Sequence, residues 1–580
     1  MLNKFTGSVI AALIMGANAT QVTAAEISID GISPVTAEML LNPPAEDWLM
    51  WRRTYDGWGY SPLDQINKAN VKDLKLAWAW GMSPGGRSQE TPIVHDGIMY
   101  IQNSTHLIQA LNAATGDLIW EYQHELAEGV KPNGERSKAI YEDKLIISTR
   151  DAKVFALDTK TGKLIWETVI ADHTMKFAAS SGAMVADGVV IQGTTGCGGG
   201  QPGGCFFTGL DANTGEKLWT INTIARGDTP EGNSWNGIPL ENRHGGSAWI
   251  SGAYDPKQNL VFAGVGQPYP WIAEMNGLLP PSADKSVTNK ALYTDSTLAI
   301  VPKTGELKWY HQYLETDSLD LDYVYDRLLI DNTVNGVVRQ QVVTAGKLGI
   351  VESLDRTSGE WLWAKETVPQ NVVLSIDQKT GEKTINPATV PHMGETTFNC
   401  PADPGGRAWQ AFSYSPRTEA LYMPLVEFCS NTTPQPLDPG EKYTGGGRAT
   451  FDRVRTPDSD GNIGRVDAMS MKDQSTLWSH RQYAPITSST LPTAGGVVFV
   501  GTLDRKFLAM DDQTGEVLWS SGALSNALES FPISYSAGGK QFVAITASWA
   551  SGLGRLQSLV KDIKLPKSNP AMIYVFALPG

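Results

Sequence analysis

Ala156-Leu-Asp-Thr-Lys-Thr-Gly-Lys-Leu-Ile-Trp166 is the stretch that decides the fold. It reads as the end of one strand, a tight turn and the start of a second strand closed by a large aromatic. Asp158 to Gly162 carry turn chemistry: an aspartate that can bond its own backbone and a glycine free to take a positive φ. One such hairpin cannot bury a tryptophan by itself. The chain repeats it at Ala110–Trp120, Gly209–Trp219, Ala299–Trp309, Ser353–Trp363, Asp467–Trp478 and Ala509–Trp519. The copy at Asp467–Trp478 is degenerate, lacking the Thr-Gly pair and carrying one extra residue. Repetition of this kind is the signature of stacked or ring-shaped all-β architectures.

The tryptophans follow one another at the length of one four-stranded blade, except across two longer gaps, from Trp219 to Trp309 and from Trp363 to Trp478. Those gaps must hold insertions, placed at Asp228–Asn242, Gln267–Asn289, Glu366–Thr397 and Thr432–Asp460. Loops inserted on one face of such a ring build its site. Leu74 to Trp80 reads as the first regular strand and Met572 to Leu578 as the last. Pairing them in one shared blade removes exposed edges. Seven motif-bearing units and one shared blade predict an all-β, eight-bladed β-propeller. It would be a single domain over residues 26–580.

Composition narrows the partners. The net charge of −14 and pI of about 5.1 argue against nucleic acid and an anionic membrane surface. Lys4, the apolar run Val9–Met15 and the small residues around Ala25 form an export signal over residues 1–25. No later apolar stretch is long enough to span a bilayer. The expected location is the periplasm. The sequence leaves oligomeric state open. In that oxidising compartment the four cysteines suggest two disulfides. Three pairings are open, of which Cys197 with Cys205 and Cys400 with Cys429 are the local ones and are expected. No Cys-x-x-Cys-His occurs, so no covalently attached haem is expected.

Three segments could carry chemistry. In Glu315-Thr-Asp-Ser-Leu-Asp-Leu-Asp-Tyr-Val-Tyr-Asp326, an extended backbone puts Asp320 and Asp322 on one side. Two close carboxylates repel unless a cation lies between them, and a hard ion such as Ca²⁺ suits oxygen donors. An acidic solvated loop reads equally well. Gly245-Gly-Ser-Ala-Trp249, leading to Gly264-Val-Gly-Gln267, offers a tryptophan face with dense glycines to admit something flat. An ordinary hairpin with a core tryptophan is the alternative. The glycine-rich loop Cys197–Cys205 lacks the Gly-Lys-Ser/Thr ending of a phosphate cradle. It could lie rigidly over a ligand, or simply be stapled for stability.

Together these residues resemble the pyrroloquinoline quinone (PQQ)-dependent alcohol dehydrogenases, from Trp51 to Leu578. The Cys197–Cys205 loop and Ser61-Pro-Leu-Asp-Gln-Ile66 are most similar to the sorbose/sorbosone-type members. The resemblance implies Asp320 as the catalytic aspartate and Trp249 as the tryptophan under the quinone. Gln267, standing for a metal-binding asparagine, joins Asp320 and Asp322 as metal ligands. Lys347 stands for a basic residue at the quinone oxygens. Glu90, Arg136, Ser180, Thr195 and Gly196 fall at the cofactor's carboxylates and ring edges, and Trp409 on the pocket wall. Two departures stand out. The family's glutamate metal ligand is missing, leaving Gln201 as the one plausible oxygen side chain in the loop that replaces it. The adjacent-cysteine pair of methanol-oxidising relatives is absent too, which argues against methanol. Asp322 matches an additional aspartate of lanthanide-using relatives. Without the glutamate, Ca²⁺ is expected first and a lanthanide second.

The implied activity is oxidation of an alcohol, sugar or polyol by hydride transfer to PQQ. The electrons would pass to a separate periplasmic c-type cytochrome. The alternatives are aldehyde or aldose oxidation on the same cofactor and a non-catalytic propeller scaffold for envelope protein assembly.

Overall fold

The computed structural model describes residues 29–579 apart from 83–86, 134–135, 199–202, 228, 230, 335, 439–446 and 551. The export signal expected at 1–25 and Gln201 therefore lie outside the described residues. The chain is all-β. Among the described residues it forms eight four-stranded antiparallel sheets and three smaller ones. In the 156–166 unit, strands Lys153–Asp158 and Leu164–Val169 set Ala156 opposite Trp166 and shift register just beyond it. The turn is held as its sequence dictates. Asp158 Oδ1 accepts from the Lys160 amide at 3.1 Å and the Thr161 amide at 2.7 Å. The Gly162 amide donates to the Asp158 carbonyl at 2.8 Å, with Gly162 at φ +68°.

Each tryptophan is buried by the next sheet along the chain, not by its own. The Trp120 indole lies against Gly162, where a Cβ would meet the ring at 2.6 Å. Its Nε1 donates to the Thr159 carbonyl of the same turn at 3.0 Å. Trp166 does the same to Gly215 and Ala212, and Trp219 to Gly305 and Pro302. Trp309 packs on Gly359, and Trp478 on Gly515. The tight turn thus has two roles, reversing the chain and presenting a surface without a side chain to the neighbouring indole. The sequence reading missed one member of the series. Trp78, in strand Lys75–Gly81, docks on Gly116 and donates to the Ala113 carbonyl at 3.1 Å. The degenerate copy shows the cost of losing the glycine. Gln474 takes its positive-φ position (φ +59°), and Trp363 Nε1 turns to the Gln341 side chain at 2.9 Å.

Strand Lys75–Gly81 pairs antiparallel with Met572–Ala577, Lys75 opposite Ala577 and Gly81 opposite Met572. Both local disulfides form, Cys197 with Cys205 and Cys400 with Cys429. The second ties the loop after Asn399 to a three-stranded sheet of Thr397–Asn399, Cys429–Pro434 and Ala449–Val454. Trp51, Ile250, Val324, Tyr325, Trp409 and Phe531, drawn from far-apart segments, pack into one buried aromatic cluster against Trp249. Arg52 is fully buried beside it and donates to the Phe412 carbonyl at 2.6 Å. No described helix is long and apolar enough to cross a membrane.

Replacing Gly162 by alanine combines a disfavoured left-handed backbone with a methyl pressed into the Trp120 ring. The expected loss is about 2 kcal/mol or more of unfolding free energy, read by denaturant titration. Lys160→Ala in the same turn should change it by less than about 0.5 kcal/mol.

Candidate active site

The acidic segment after Trp309 is held from behind. Asp317 Oδ1 accepts from the Leu319 amide at 2.8 Å and its Oδ2 from the Leu321 amide at 2.6 Å. Asp295 Oδ1 accepts from the Tyr323 amide at 3.2 Å. Arg327, fully buried, donates to the carbonyls of Ser296 at 3.1 Å and Tyr323 at 2.7 Å. The side chains of Asp320 and Asp322 both line the cavity, but not on the extended backbone that the sequence reading assumed. Asp320 pays for this with a left-handed backbone, φ +61°, a form of strain common where a side chain must be aimed.

Asp320 and Asp322 face a cavity of about 460 Å³. Gln267 enters from a neighbouring strand connection. Its amide nitrogen bonds Asp320 Oδ1, and its backbone N–H donates to Asp322 Oδ1 at 3.3 Å. Its Oε1 is buried with no partner. The adjacent glycine is a matter of space: a Cβ on Gly266 would stand 2.5 Å from Asp322 Oδ1. Gly266 therefore lets the backbone approach a carboxylate, and Gly245 lets it approach the backbone of 267–269.

Lys347 lies among three carboxylates, its Nζ 2.8 Å from Asp320, 3.2 Å from Asp322 and 3.8 Å from Asp403. Burial opposes its charge, yet Asp320 and Asp322 hold its pKa well above the ordinary lysine value. Burial drives the Asp320 carboxyl well above its ordinary range. Lys347 draws it back, and Asp403 and Asp322 push it further up. Burial works on Asp403 in the same direction, but Lys347, Arg555 and Arg453 outweigh it and keep that carboxyl low. Asp320 and Asp322 share the one ammonium of Lys347, while Arg453 and Arg555 hold Asp403, and an orphaned amide oxygen lies beside the first two. Two carboxylates and an amide oxygen are hard donors of the kind Ca²⁺ takes.

Trp249 forms another wall of the same cavity. The edge of its ring meets Tyr325, and the Arg136 guanidinium lies over it with Cζ 4.6 Å from a ring centroid. A flat cationic group resting there shows that the indole offers its face to the cavity. Arg136 also donates to the Ser180 carbonyl at 3.2 Å, and Ser180 Oγ is 3.3 Å from Thr195 Oγ1. Ser180, Thr195 and Gly196 line the cavity, as does Trp409, which stacks on Phe531.

Of the residues singled out in the sequence, Glu90 is placed differently. Gln89 lines the cavity, whereas Glu90 is 1% exposed and ion-paired with the buried Lys138. Gln89 and Glu90 lie in the irregular segment before strand Ile93–His95, and the pairing with Lys138 holds Glu90 inside. No described residue of 228–242 lines the cavity. Trp235 and Ile238 pack instead on Ala273, Leu278 and Leu292. Sequence reasoning missed Asp403, Tyr269, Tyr325 and Arg555, all on the wall. Asp403 alone carried a signal, its place three residues after Cys400.

Comparison with known proteins agrees with this geometry. The family profile for the PQQ glucose/ethanol/alcohol dehydrogenase β-propeller domain matches residues 48–384 and 457–543. A quinohemoprotein alcohol dehydrogenase of Pseudomonas putida, ADH-IIG, is 30% identical over 93% of this chain and 77% of its own. The quinoprotein alcohol dehydrogenase PedH of the same species is 29% identical, covering 90% of this chain and 89% of its own. Among solved structures, a europium-containing methanol dehydrogenase superposes with a TM-score of 0.83 at 26% identity. It covers 93% of this chain and 100% of that one.

Removing the ammonium should expose the charge imbalance. Lys347→Met leaves buried acids without their counter-ion and is expected to cost about 3–5 kcal/mol of stability in chelator. Added Ca²⁺ should return part of that loss, measured by denaturation with and without the ion.

Proposed function

The chain belongs to the PQQ-dependent alcohol dehydrogenases, β-propeller enzymes, and from that premise we propose how its own residues serve the oxidation of an alcohol to an aldehyde or ketone. The observation that carries the proposal is the meeting of Trp249, Gln267, Asp320, Asp322 and Lys347 around one cavity. Trp249 would seat the planar cofactor, and Arg136 would give up its place on the indole to pair with a cofactor carboxylate. Ser180, Thr195 and Gly196 would border its edge, and Trp409 the pocket beside it. Gln267, Asp320 and Asp322 would hold Ca²⁺, for which a lanthanide is the alternative. Bound there, PQQ supplies a hydride acceptor and the ion a Lewis acid.

The protein's own part is proton and position. Asp320 takes the hydroxyl proton of the substrate at its carboxylate. Its left-handed backbone and the amide bonds behind it fix the direction of that carboxylate, so the proton acceptor does not wander. Lys347 draws the Asp320 carboxyl back toward its charged form against burial and adds a fixed positive charge beside the reacting atoms. The buried aromatic cluster keeps water from the opposite side. A hydrated aldehyde or aldose presents the same hydroxyl and carbon–hydrogen bond, so such substrates form the second reading. A non-catalytic scaffold has no use for an orphaned amide oxygen between paired acids.

The architecture follows the same reading. The eight four-stranded sheets would be blades of one ring spanning residues 26–580. The pairing of Lys75–Gly81 with Met572–Ala577 would join its ends. We place the protein in the periplasm after loss of residues 1–25. With no haem-attachment motif of its own, it would pass electrons to a separate c-type cytochrome, and its acidic surface favours a basic one.

Adding PQQ and Ca²⁺ to the purified apoprotein should produce dye-linked oxidation of primary or secondary alcohols. No activity on any alcohol, sugar or aldehyde would refute the reading. Asp320→Asn should retain bound PQQ, seen in its absorption spectrum, and lose about 100-fold or more in kcat. Retention of more than roughly a tenth of the rate would show that another group takes the proton.

A further inference from the structure

The far wall of the cavity involves three segments, two that line it and one, the strand, that backs them. One is the loop after Cys400, carrying Asp403 and stapled to Cys429. Another is strand Ala449–Val454, carrying Arg453. The last is the 3₁₀ segment Leu553–Leu559, carrying Arg555. They are bound into one piece. Leu553 and Leu556 pack on Ala402, Ala408 and Phe428. Arg455 Nη2 donates to the Leu559 carbonyl at 2.6 Å. The wall is therefore rigid, and what it presents to the cavity is fixed.

What it presents is a charged clasp. Asp403 is 5% exposed. Its Oδ2 accepts from Arg555 and from Arg453 Nη2, the latter at 3.4 Å. Arg453 Nε donates to the Asp403 carbonyl at 3.2 Å. Both Asp403 and Arg555 line the cavity. The Arg555 side chain is 54% exposed, so only part of its guanidinium is committed to Asp403. Lys347 Nζ touches Asp320 on one side and reaches toward Asp403 on the other, at 2.8 and 3.8 Å. That places the clasp within a few carbon–carbon bonds of the carboxylate that takes the proton.

A wall meant for an alkyl chain would be apolar, because a buried carboxylate left against methylene groups forfeits its remaining hydrogen bonds. Each carboxylate oxygen can accept two bonds, and Arg555 keeps further N–H groups to donate. A hydroxyl needs one acceptor and one donor, which this pair offers side by side. Resting on the alcohol-oxidising reading above, we propose that Asp403 and Arg555 form a specificity subsite for a second hydroxyl of the substrate. The enzyme thus selects polyhydroxylated alcohols over simple alkanols. A site built to bond a hydroxyl discriminates against the analogue that lacks it, because its own polar groups are then left unpaired.

The test compares glycerol and propane-1,2-diol with propan-1-ol on the holoenzyme loaded with PQQ and Ca²⁺. The wild type is expected to favour the polyols at least about tenfold in kcat/KM. In Arg555→Ala that ratio should fall about tenfold, chiefly through KM for the polyols, with the absorption of bound PQQ unchanged. Arg555→Lys, which keeps a donor, should recover part of it. If the wild type oxidises propan-1-ol as well as glycerol, this inference fails and the alcohol-oxidising reading stands. If Arg555→Ala lowers all three substrates alike, the clasp is only structural and the inference fails. If the wild type oxidises none of them or any other alcohol, both fail.

Discussion

The docking of a repeat tryptophan on the glycine of the following turn, made by Trp78, Trp120, Trp166, Trp219, Trp309 and Trp478, is the contact on which the rest of the structure depends. A lone hairpin has no place for an indole, and a sheet edge has no reason to stop adding strands. Linking the two solves both. Trp120 fills the hollow over Gly162, Trp166 the hollow over Gly215, and so on along the chain. The stacking fixes the order of the sheets, because each turn accepts one indole and each strand end supplies one. The segments between sheets are then free of structural duty. The site is assembled from them, by residues as distant in sequence as Trp249, Asp320, Asp403 and Arg555.

Freedom of this kind does not explain why the acids converge. That is the work of buried polar anchors one layer back. Asp317, Asp295 and Arg327 satisfy the backbone of 319–325 from the side away from the cavity. Asp320 and Asp322 are left with no partner in that layer. Charge is concentrated here at the expense of desolvation, and Lys347 offsets only part of it. Asp320 and Asp322 share the Lys347 ammonium, and Asp403 is held by Arg453 and Arg555 as well. Structural ion pairs elsewhere in the chain, such as Lys383 with Glu352 or Arg407 with Asp326, match one cation to one anion.

How much of this could be read in advance depended on whether the signal was periodic or positional. The repeat and its turn chemistry were legible because each is a local pattern that recurs, and the strand pairing of the two chain ends because sheet edges left open at both ends call for a partner. Trp78 was not, because its strand carries no Thr-Gly turn of its own and only the docking reveals its role. Asp320, Asp322 and Trp249 were singled out by resemblance and do meet at one cavity, though Asp320 has a left-handed backbone in place of the extended one the alternation reading assumed. Gln89 and not Glu90 lines the cavity, because both lie in an irregular segment with no period to say which side chain faces inward. Arg555 gave no warning at all. It lies beyond the last repeat, in a segment whose folding depends on contacts with loops more than a hundred residues away.

The difference between the two ends of the cavity follows from the same logic. Near Trp249 the wall is aromatic, made by Trp249, Tyr325 and Trp409 from connections between the sheets. Near Asp403 it is charged, and made by a disulfide-anchored loop and a short 3₁₀ segment, with Arg453 of an inserted strand behind them. The sheets fix what recurs along the chain, and the connections between them carry both walls. The insertions carry no repeat constraint, so their side chains can differ without disturbing the tryptophan stack. Choice among substrates therefore belongs to the inserted wall, and proton transfer to the Asp320 loop beside the sheets. The Lys347 ammonium joins the two, lying 2.8 Å from Asp320 and 3.8 Å from Asp403.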